Sequence, residues 1–524
     1  MSRDARVIVV GGGFSGAMTA AHLANRGVET VVIEPGALGR GAAFAATPDP
    51  LLLNAPVAAM SARPGAPRDF ERWLERQRAA LHSSPAAHAW MQANAAPGPA
   101  GGDPPSATIA RGRPTGAAPV RSGIGASPGS AVGWLAAARR MAPELAAARP
   151  AGPDPAPLSS WFVPRAIYGD YLEATIAELA QGRLATVAAR AITVERTAGG
   201  YAARCDDGRE LTAVSVVFAL GNALARTPSA VTGDEDGYAA DPYRALASIG
   251  PADPIAILGT GLTALDVISA LRARGHRGRI VGVSRRGLLP TAHGARPHDG
   301  EVVPRELVRQ PRLPALLRWW RARIERVHGP LRGDVAAALV AALRPHLSMI
   351  WRRLPLSDRA VFLRHLRPRW DVIRHRAPAV VRAAVDAGVA DGSIEIFAAR
   401  LAAVGAIASG LRCRFVTAQG NAIERDVRWL VNCTGPERDV RRLASPLVRS
   451  LLAHRMLAPD PLGLGVLTGP SGQLIGEAGY VPDAFVVGPW RMADLWEASA
   501  IPELRQHAAD TAGAIAGPQP DGDS

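Results

Sequence analysis

The chain has 524 residues, 48% hydrophobic and 20% charged, which asks for two or three domains of globular composition. The formal net charge is +14, but the arginines are scattered and no Lys/Arg-rich tail is present, so the balance suits a binder of anionic dinucleotides and no nucleic-acid partner is expected. The three cysteines, Cys205, Cys413 and Cys433, form no Cys-x-x-Cys pair, which argues against a disulfide framework, a metal cluster and a dithiol redox centre.

The N-terminus lacks the apolar region of a signal peptide, and every long apolar stretch is broken by Gly, Arg or Asp. A cytoplasmic protein without a membrane span is expected. Val7–Val10 is a short β-branched run that reads as a buried parallel strand. It enters Gly11-Gly12-Gly13-Phe14-Ser15-Gly16, after which Ala17–Arg26 reads as a helix stopped at Gly27. Glu29–Ile33 reads as the next strand, ending at Glu34.

This is the spacing of a dinucleotide fingerprint. Gly11 permits the tight turn, Gly13 lets backbone approach a pyrophosphate, and Gly16 lets helix and strand pack closely. The helix start at Phe14 and Ser15 offers N–H groups to the phosphates. Glu34 is placed to accept hydrogen bonds from a ribose.

Asp69 is expected to cap a helix from Phe70 to about Arg78. Residues 96–160 are rich in Pro, Gly, Ala and Ser and read as a disordered insertion, with one candidate helix around Trp134–Ala148. Tyr168–Ala180 reads as a helix. Alternation near 191–195, 201–205 and 211–217 predicts a small antiparallel sheet.

A second βαβ unit starts at Ile255–Leu258, turns through Gly259-Thr260-Gly261-Leu262-Thr263-Ala264, and continues as the helix Leu265–Arg274 and the strand Ile280–Val283. The fingerprint admits Ala in its third place. No acid ends this strand. Ser284-Arg285-Arg286 follows instead, which suits the 2′-phosphate of NADPH, with NADH as the alternative. Two such units imply two dinucleotides, FAD at the first and a nicotinamide at the second, arranged for hydride transfer.

Residues 305–376 read as basic helices carrying Trp319, Trp320, Trp351 and Trp370, where a buried seam outweighs nucleobase stacking. Ala219-Leu220-Gly221-Asn222 and Asn432-Cys433-Thr434-Gly435-Pro436 follow strands and read as crossings between the two dinucleotide domains. Cys433 reads as a packing residue. Val486-Val487-Gly488-Pro489-Trp490 reads as a strand ending at Gly488, before a helix over Met492–His507.

Several segments resemble one family. They are Gly39-Arg40-Gly41-Ala42-Ala43-Phe44, Leu53-Asn54-Ala55-Pro56, Met60-Ser61-Ala62, Asp69-Phe70-x-x-Trp73-Leu74, Phe162–Leu172 and Trp370-x-x-x-Arg374-His375-Arg376. The chain looks like a bacterial FAD-NAD(P)-binding protein, related to the flavin-containing and N-hydroxylating monooxygenases. The resemblance implies an FAD-dependent, NAD(P)H-consuming oxidoreductase acting with O2 on a small polar molecule through a flavin hydroperoxide. N-hydroxylation of an amino acid or amine, or a urate-type hydroxylation, would fit. A flavin reductase or dehydrogenase, and a non-catalytic flavoprotein, are the alternatives.

The resemblance places Arg40 near the FAD diphosphate or ribose, and Asn54, Met60 and Ser61 near the isoalloxazine. Arg165, Tyr168 and Tyr171 either contact cofactor or pack in the core. His293, Arg374 and His375 are the candidates for substrate contact, since a basic cluster can bind an anion.

The fold expected is α/β, with two Rossmann-like domains, a helical insertion and a small antiparallel sheet. The FAD domain would comprise 1–95, 161–250 and 437–515, around the insertion 96–160, and the NAD(P)H domain 251–300 and 377–436, around the helical insertion 301–376, with a frayed tail at 516–524. Oligomeric state is not readable from the chain.

Overall fold

Val7, Ile8 and Val9 are wholly buried, as a continuous apolar run must be when both faces of a parallel sheet are covered. They lie in β1 (Ala5–Val10), which pairs in parallel with β2 (Thr30–Ile33) on one side and β6 (Glu210–Phe218) on the other. The computed structural model describes residues 5–45, 51–82, 157–232, 235–294, 301–326 and 331–517. Nearly all of the expected insertion at 96–160, including the candidate helix at Trp134–Ala148, lies outside these residues, as does the tail beyond 517.

The first sheet runs β15-β16-β6-β1-β2-β3, with β3 at Leu184–Val187, β15 at Gln473–Gly476 and β16 at Gly479–Val486. The antiparallel sheet expected near 191–217 is present as β4 (Ala191–Thr197), β5 (Gly200–Cys205) and β6, but it is not separate. Strand β6 is nine residues long. Its first half pairs antiparallel with β5, and the strand continues in parallel with β1 and β16. The helix Phe14–Asn25 buries almost every residue against this sheet and against the C-terminal helix Ile501–Ala516.

The second sheet is wholly parallel, in the order β10-β9-β8-β14-β7. Its strands are β7 (Tyr238–Ala239), β8 (Ile255–Leu258), β9 (Ile280–Ser284), β10 (Ile394–Ala398) and β14 (Trp429–Asn432). An antiparallel meander of β11 (Arg400–Ile407), β12 (Gly410–Val416) and β13 (Ala422–Val427) packs on it through Leu411, Cys413 and Phe415.

Between β9 and β10 lie the predicted basic helices. Their apolar stripes, with Trp319, Leu339 and Trp351, meet the C-terminal segment at Met492, Leu495 and Trp496. The Trp351 indole donates to the Ala493 carbonyl at 2.9 Å. Trp319 is buried and Trp320 packs beside Trp370, so the seam reading of these tryptophans holds.

The single helix expected over Met492–His507 is broken. A short helix, Met492–Leu495, stops at Trp496, and the long helix begins only at Ile501 with Pro502 in its first turn. Trp496 has φ +59° and ψ −56°, and Glu497 N–H donates to the Leu495 carbonyl at 2.6 Å. This is a γ-turn of the rare, strained hand. Among the described residues no helix is long and apolar enough to cross a membrane.

Candidate functional site

Both fingerprint turns lie at the carboxyl ends of parallel strands, where open α/β sheets bind ligands. Gly11 has φ +99°, and a Cβ there would sit 2.3 Å from the Ala219 carbonyl oxygen. Gly16 is tighter, since a Cβ would lie 1.9 Å from the Gly11 oxygen. Gly13 and Gly41 face each other, a Cβ on Gly41 falling 3.0 Å from the Gly13 Cα. These close approaches make a shallow cradle of bare backbone. The helix that starts there has Gly13 as N-cap, without a side-chain cap and without an acid in its first turn. Its leading N–H groups and positive dipole end are therefore left for an anion.

Glu34 is held rigidly at the rim. One carboxylate oxygen accepts from Gly12 N–H at 2.7 Å and the other from Gly36 N–H at 2.9 Å. Each oxygen keeps a lone pair for a ribose hydroxyl. From the far strand, Gly488 (φ +86°) approaches the first turn, a Cβ there lying 3.2 Å from Ser15 Oγ. The C-terminal segment thus closes over the first site. Gly221 and Gly435, at the two crossings, have positive φ and open space around them.

The second turn repeats the device. Gly259 (φ +89°) abuts the Cys433 carbonyl, where a Cβ would lie 2.3 Å from the oxygen. The helix Leu262–Ala273, opening with Leu262 and Thr263, has Gly261 as an uncapped N-cap and no acid in its first turn. Thr260 Oγ1 bonds Ser284 Oγ at 2.9 Å, and Ser284 Oγ accepts from Gly287 N–H at 3.0 Å, so the loop after β9 is fixed. Arg285 and Arg286 are exposed at its edge, and Arg286 also donates to the His365 carbonyl at 3.3 Å. Residues at both turns therefore fit dinucleotides.

A cavity of about 520 Å³ lies elsewhere, at the amino ends of β8 and β9, lined by Ile255, Val281, Arg279 and Arg425. It is remote from both turns, and Glu395 ties Arg279 and Arg425 together there.

Several other predicted residues have structural duties. Arg40 is buried and spends its guanidinium on Asp170 and Glu173, with a further bond to the Ala166 carbonyl. It pins the loop after Glu34 to the helix Arg165–Ala180 rather than offering free charge to a diphosphate. Met60 sits in the apolar cluster with Phe14, and Ser61 Oγ donates to the Ala66 carbonyl at 2.7 Å. Tyr168 is fully buried among Phe44 and Phe70, while Tyr171 OH donates to Asp69 at 2.7 Å and accepts from Ala62 N–H at 3.0 Å. Core packing is thus what the tyrosines do. Cys433 is buried as expected, and burial pushes its thiol well up.

The segments around the two turns are tied together in two places. Arg165 donates to Asp266 at 2.7 Å and to the Leu52 carbonyl at 3.1 Å, and Tyr243 OH donates to the same Asp266 oxygen at 2.9 Å. His293 Nε2 meets the Asn54 carbonyl at 2.9 Å, so this nitrogen carries the proton. Its ring leans on Phe162 at 4.9 Å. Burial, then Arg376 and Arg374, hold His293 at about 4, a neutral imidazole at neutral pH. His293 therefore ties its loop to the Asn54 segment, and Asn54 serves through its backbone.

Arg374 is likewise committed. It grips Glu497 through two bonds of 3.1 and 2.9 Å, both partners being buried. As a catalytic candidate Arg374 is replaced by a positioning role, because its guanidinium is already paired. Burial, then Arg374 and Arg438, hold His375 at about 3, so it too is neutral. Asp266 and Arg438 carry no sequence motif. Only the fold gives them their neighbours.

The profile of the family described as FAD-NAD(P)-binding matches residues 8–99 and 125–223. No curated protein matches. Among solved structures, the reduced form of an ornithine hydroxylase from Pseudomonas aeruginosa is 15% identical, with a TM-score of 0.54 over 98% of this chain and 99% of that one. The ornithine N-hydroxylase of Kutzneria sp. 744, solved with reduced FAD, NADP+ and L-ornithine, is 14% identical with a TM-score of 0.53 over 98% and 99%. The L-lysine 6-monooxygenase of Pseudomonas syringae is 14% identical with a TM-score of 0.54 over the same shares, 98% and 99%. At such identities these structures share the fold. Over the matched segments the chain is similar to the FAD-NAD(P)-binding family, and its two uncapped glycine turns are set in the fold that it shares with these hydroxylases.

Proposed function

We propose that the chain is an FAD-dependent, NADPH-consuming monooxygenase that hydroxylates a small polar substrate, with N-hydroxylation of an amino acid or amine as the favoured reaction. The observation that carries this reading is the pair of uncapped glycine turns in one chain, each at the carboxyl end of a parallel strand. Bound flavin would supply the two-electron link between nicotinamide and oxygen. The chain's own part is positioning. Gly11, Gly13 and the helix start at Phe14 and Ser15 would hold the FAD diphosphate, with Glu34 on the ribose. Gly259, Gly261, Leu262 and Thr263 would hold the NADPH diphosphate, with Arg285 and Arg286 on its 2′-phosphate. Arg165–Asp266 and His293–Asn54, which tie the surrounding segments together, would hold the two at a set distance.

A hydroxylation rather than a disulfide reduction is supported by the cysteines. All three are free and buried, and none is placed to pass electrons onward. The likeness of the fold to ornithine and lysine hydroxylases supports the substrate class. The test is coupled turnover. With amino acids and polyamines as candidate substrates, one of them should raise NADPH oxidation and divert O2 from hydrogen peroxide into a hydroxylated product. If NADPH oxidation yields hydrogen peroxide alone with every candidate, yet runs freely to an artificial electron acceptor, the reductase reading replaces this one.

A further inference from the structure

One face of the helix Arg367–Arg374 carries Arg367, Trp370, Asp371 and Arg374, at i, i+3, i+4 and i+7. This face looks onto the strained turn at Trp496. Arg367 lies 5.8 Å over the Trp496 ring and pairs with Asp371 at 3.3 Å, and Arg374 holds Glu497. Phe362 joins the rings, 5.1 Å from Trp496 and 6.2 Å from Trp370. Nearby, Arg344 is paired with Glu503 at 2.6 Å.

Three arginines here are therefore matched by three acids. Arg438, just past the second crossing, feels Arg367 and the acids Asp371 and Glu437 but forms an ion pair with neither acid, and its buried Nε has no hydrogen-bond partner. Trp370 Nε1 is also buried without a partner. Buried donors left unpaired cost about 1–3 kcal/mol each, so two at one seam point to an acceptor that arrives from outside.

We propose that Arg438 and Trp370 form the seat of the substrate's anionic group, a carboxylate on a small body that packs against Trp370, Phe362 and Trp496. This rests on the monooxygenase reading and names the substrate class within it. The single guanidinium of Arg438 fits a singly charged group better than a phosphate dianion. The guanidinium and indole N–H groups would each donate to a carboxylate oxygen. The neutral His375 adds no competing charge. Strain at Trp496 is explained by the same arrangement, because that turn sets the aromatic wall and seats Glu497 on Arg374 at once.

The experiment uses the oxidised holoprotein, with neither NADPH nor O2 turnover involved, and benzoate as the probe. Binding is read by quenching of tryptophan fluorescence and perturbation of the flavin absorbance. Benzoate is expected to bind, and neutral benzamide much more weakly. Arg438→Met is expected to weaken benzoate by about tenfold to a hundredfold, as for a hydrogen bond to a charged group, and Arg438→Lys to recover part of that loss. Trp370→Phe, which keeps a ring and removes the donor, should weaken it as well. Equal binding of benzoate and benzamide, or unchanged benzoate affinity in both Arg438→Met and Trp370→Phe, overturns the proposal. If Arg438→Met instead weakens NADPH and leaves benzoate unchanged, the seat belongs to a nucleotide phosphate and the proposal also falls. Benzoate binding that behaves as expected in a protein that fails the coupled-turnover test would spare this seat and remove the monooxygenase reading.

Discussion

Gly11→Ala is expected to yield a protein that purifies without flavin. Gly11 has φ +99°, and the new Cβ would lie 2.3 Å from the oxygen and 3.0 Å from the carbon of the Ala219 backbone. Both neighbours are fixed, since Ala219 N–H donates to the Val10 carbonyl at 2.8 Å and Gly11 N–H to the Ile33 carbonyl at 3.0 Å. Relief requires the turn to move by a large fraction of an ångström, which takes its N–H groups off the diphosphate. A loss of about 3 kcal/mol, roughly a hundredfold in FAD affinity, is a moderate expectation for such a shift. The ratio of flavin to protein absorbance reads it, with circular dichroism as the check that the sheets survive. Gly27→Ala is the matched control. Its φ is also positive, at +74°, but nothing lies within 4 Å of a Cβ there. It should keep its flavin. Equal flavin loss in both would mean that strain, and not the cradle, explains the first result.

Glu497→Gln is expected to be the most destabilising single change at the seam. Glu497 is 4% exposed and is the only acid within ion-pair distance of Arg374 among the described residues. Burial pushes the Glu497 carboxyl above its ordinary value, and Arg374 pulls it back. Removing its charge leaves Arg374 facing its neighbour Arg376 and the nearby Arg344 and Arg438 with no counter-charge. Breaking a buried pair from one side costs about 3–5 kcal/mol. Thermal unfolding followed by flavin fluorescence should show a clear fall in midpoint. Removing both partners, in Glu497→Leu with Arg374→Leu, should restore much of it, because no charge is then stranded. A double variant as unstable as Glu497→Gln would show that the pair matters through packing instead.

The sequence made the dinucleotide turns legible because their chemistry is local. A tight turn, a close helix and a strand-end acid lie within a few dozen residues, and each needs a particular residue type. Gly11, Gly16 and Gly259 make in the fold the tight turns and close approaches that their spacing implied, and Glu34 stands at the strand end beside the first turn. The long strand β6 was only half legible. Its alternating start predicted an antiparallel sheet, while its apolar end is the partner of β1. The helix expected through Met492–His507 failed at Trp496, where tertiary contacts with Trp351 and Phe362 and the Glu497–Arg374 pair override a helical pattern.

The residues that latch and line the seam were the least legible. Arg40 looked like a phosphate ligand by its place in a glycine-rich loop, but its partners, Asp170 and Glu173, lie 130 and 133 residues away. Arg374 and His375 looked available because they sit in a basic run. Nothing in the chain announces that Glu497 will neutralise the first. Asp266 acquires meaning only where Arg165 and Tyr243 meet it, and Arg438 only where the helical insertion comes near it.

The central claim is that the first turn holds FAD and the second holds NADPH, with the two facing each other across a fixed seam. Anaerobic reduction of the flavin, followed by its loss of absorbance with NADPH and NADH in the parent protein and in Arg285→Ala with Arg286→Ala, tests it most directly. The account expects NADPH to bleach the flavin at lower concentration than NADH in the parent, and the double variant to lose that advantage without losing its flavin. A flavin that neither nucleotide bleaches, or a preference for NADPH untouched by removing both arginines, would contradict it.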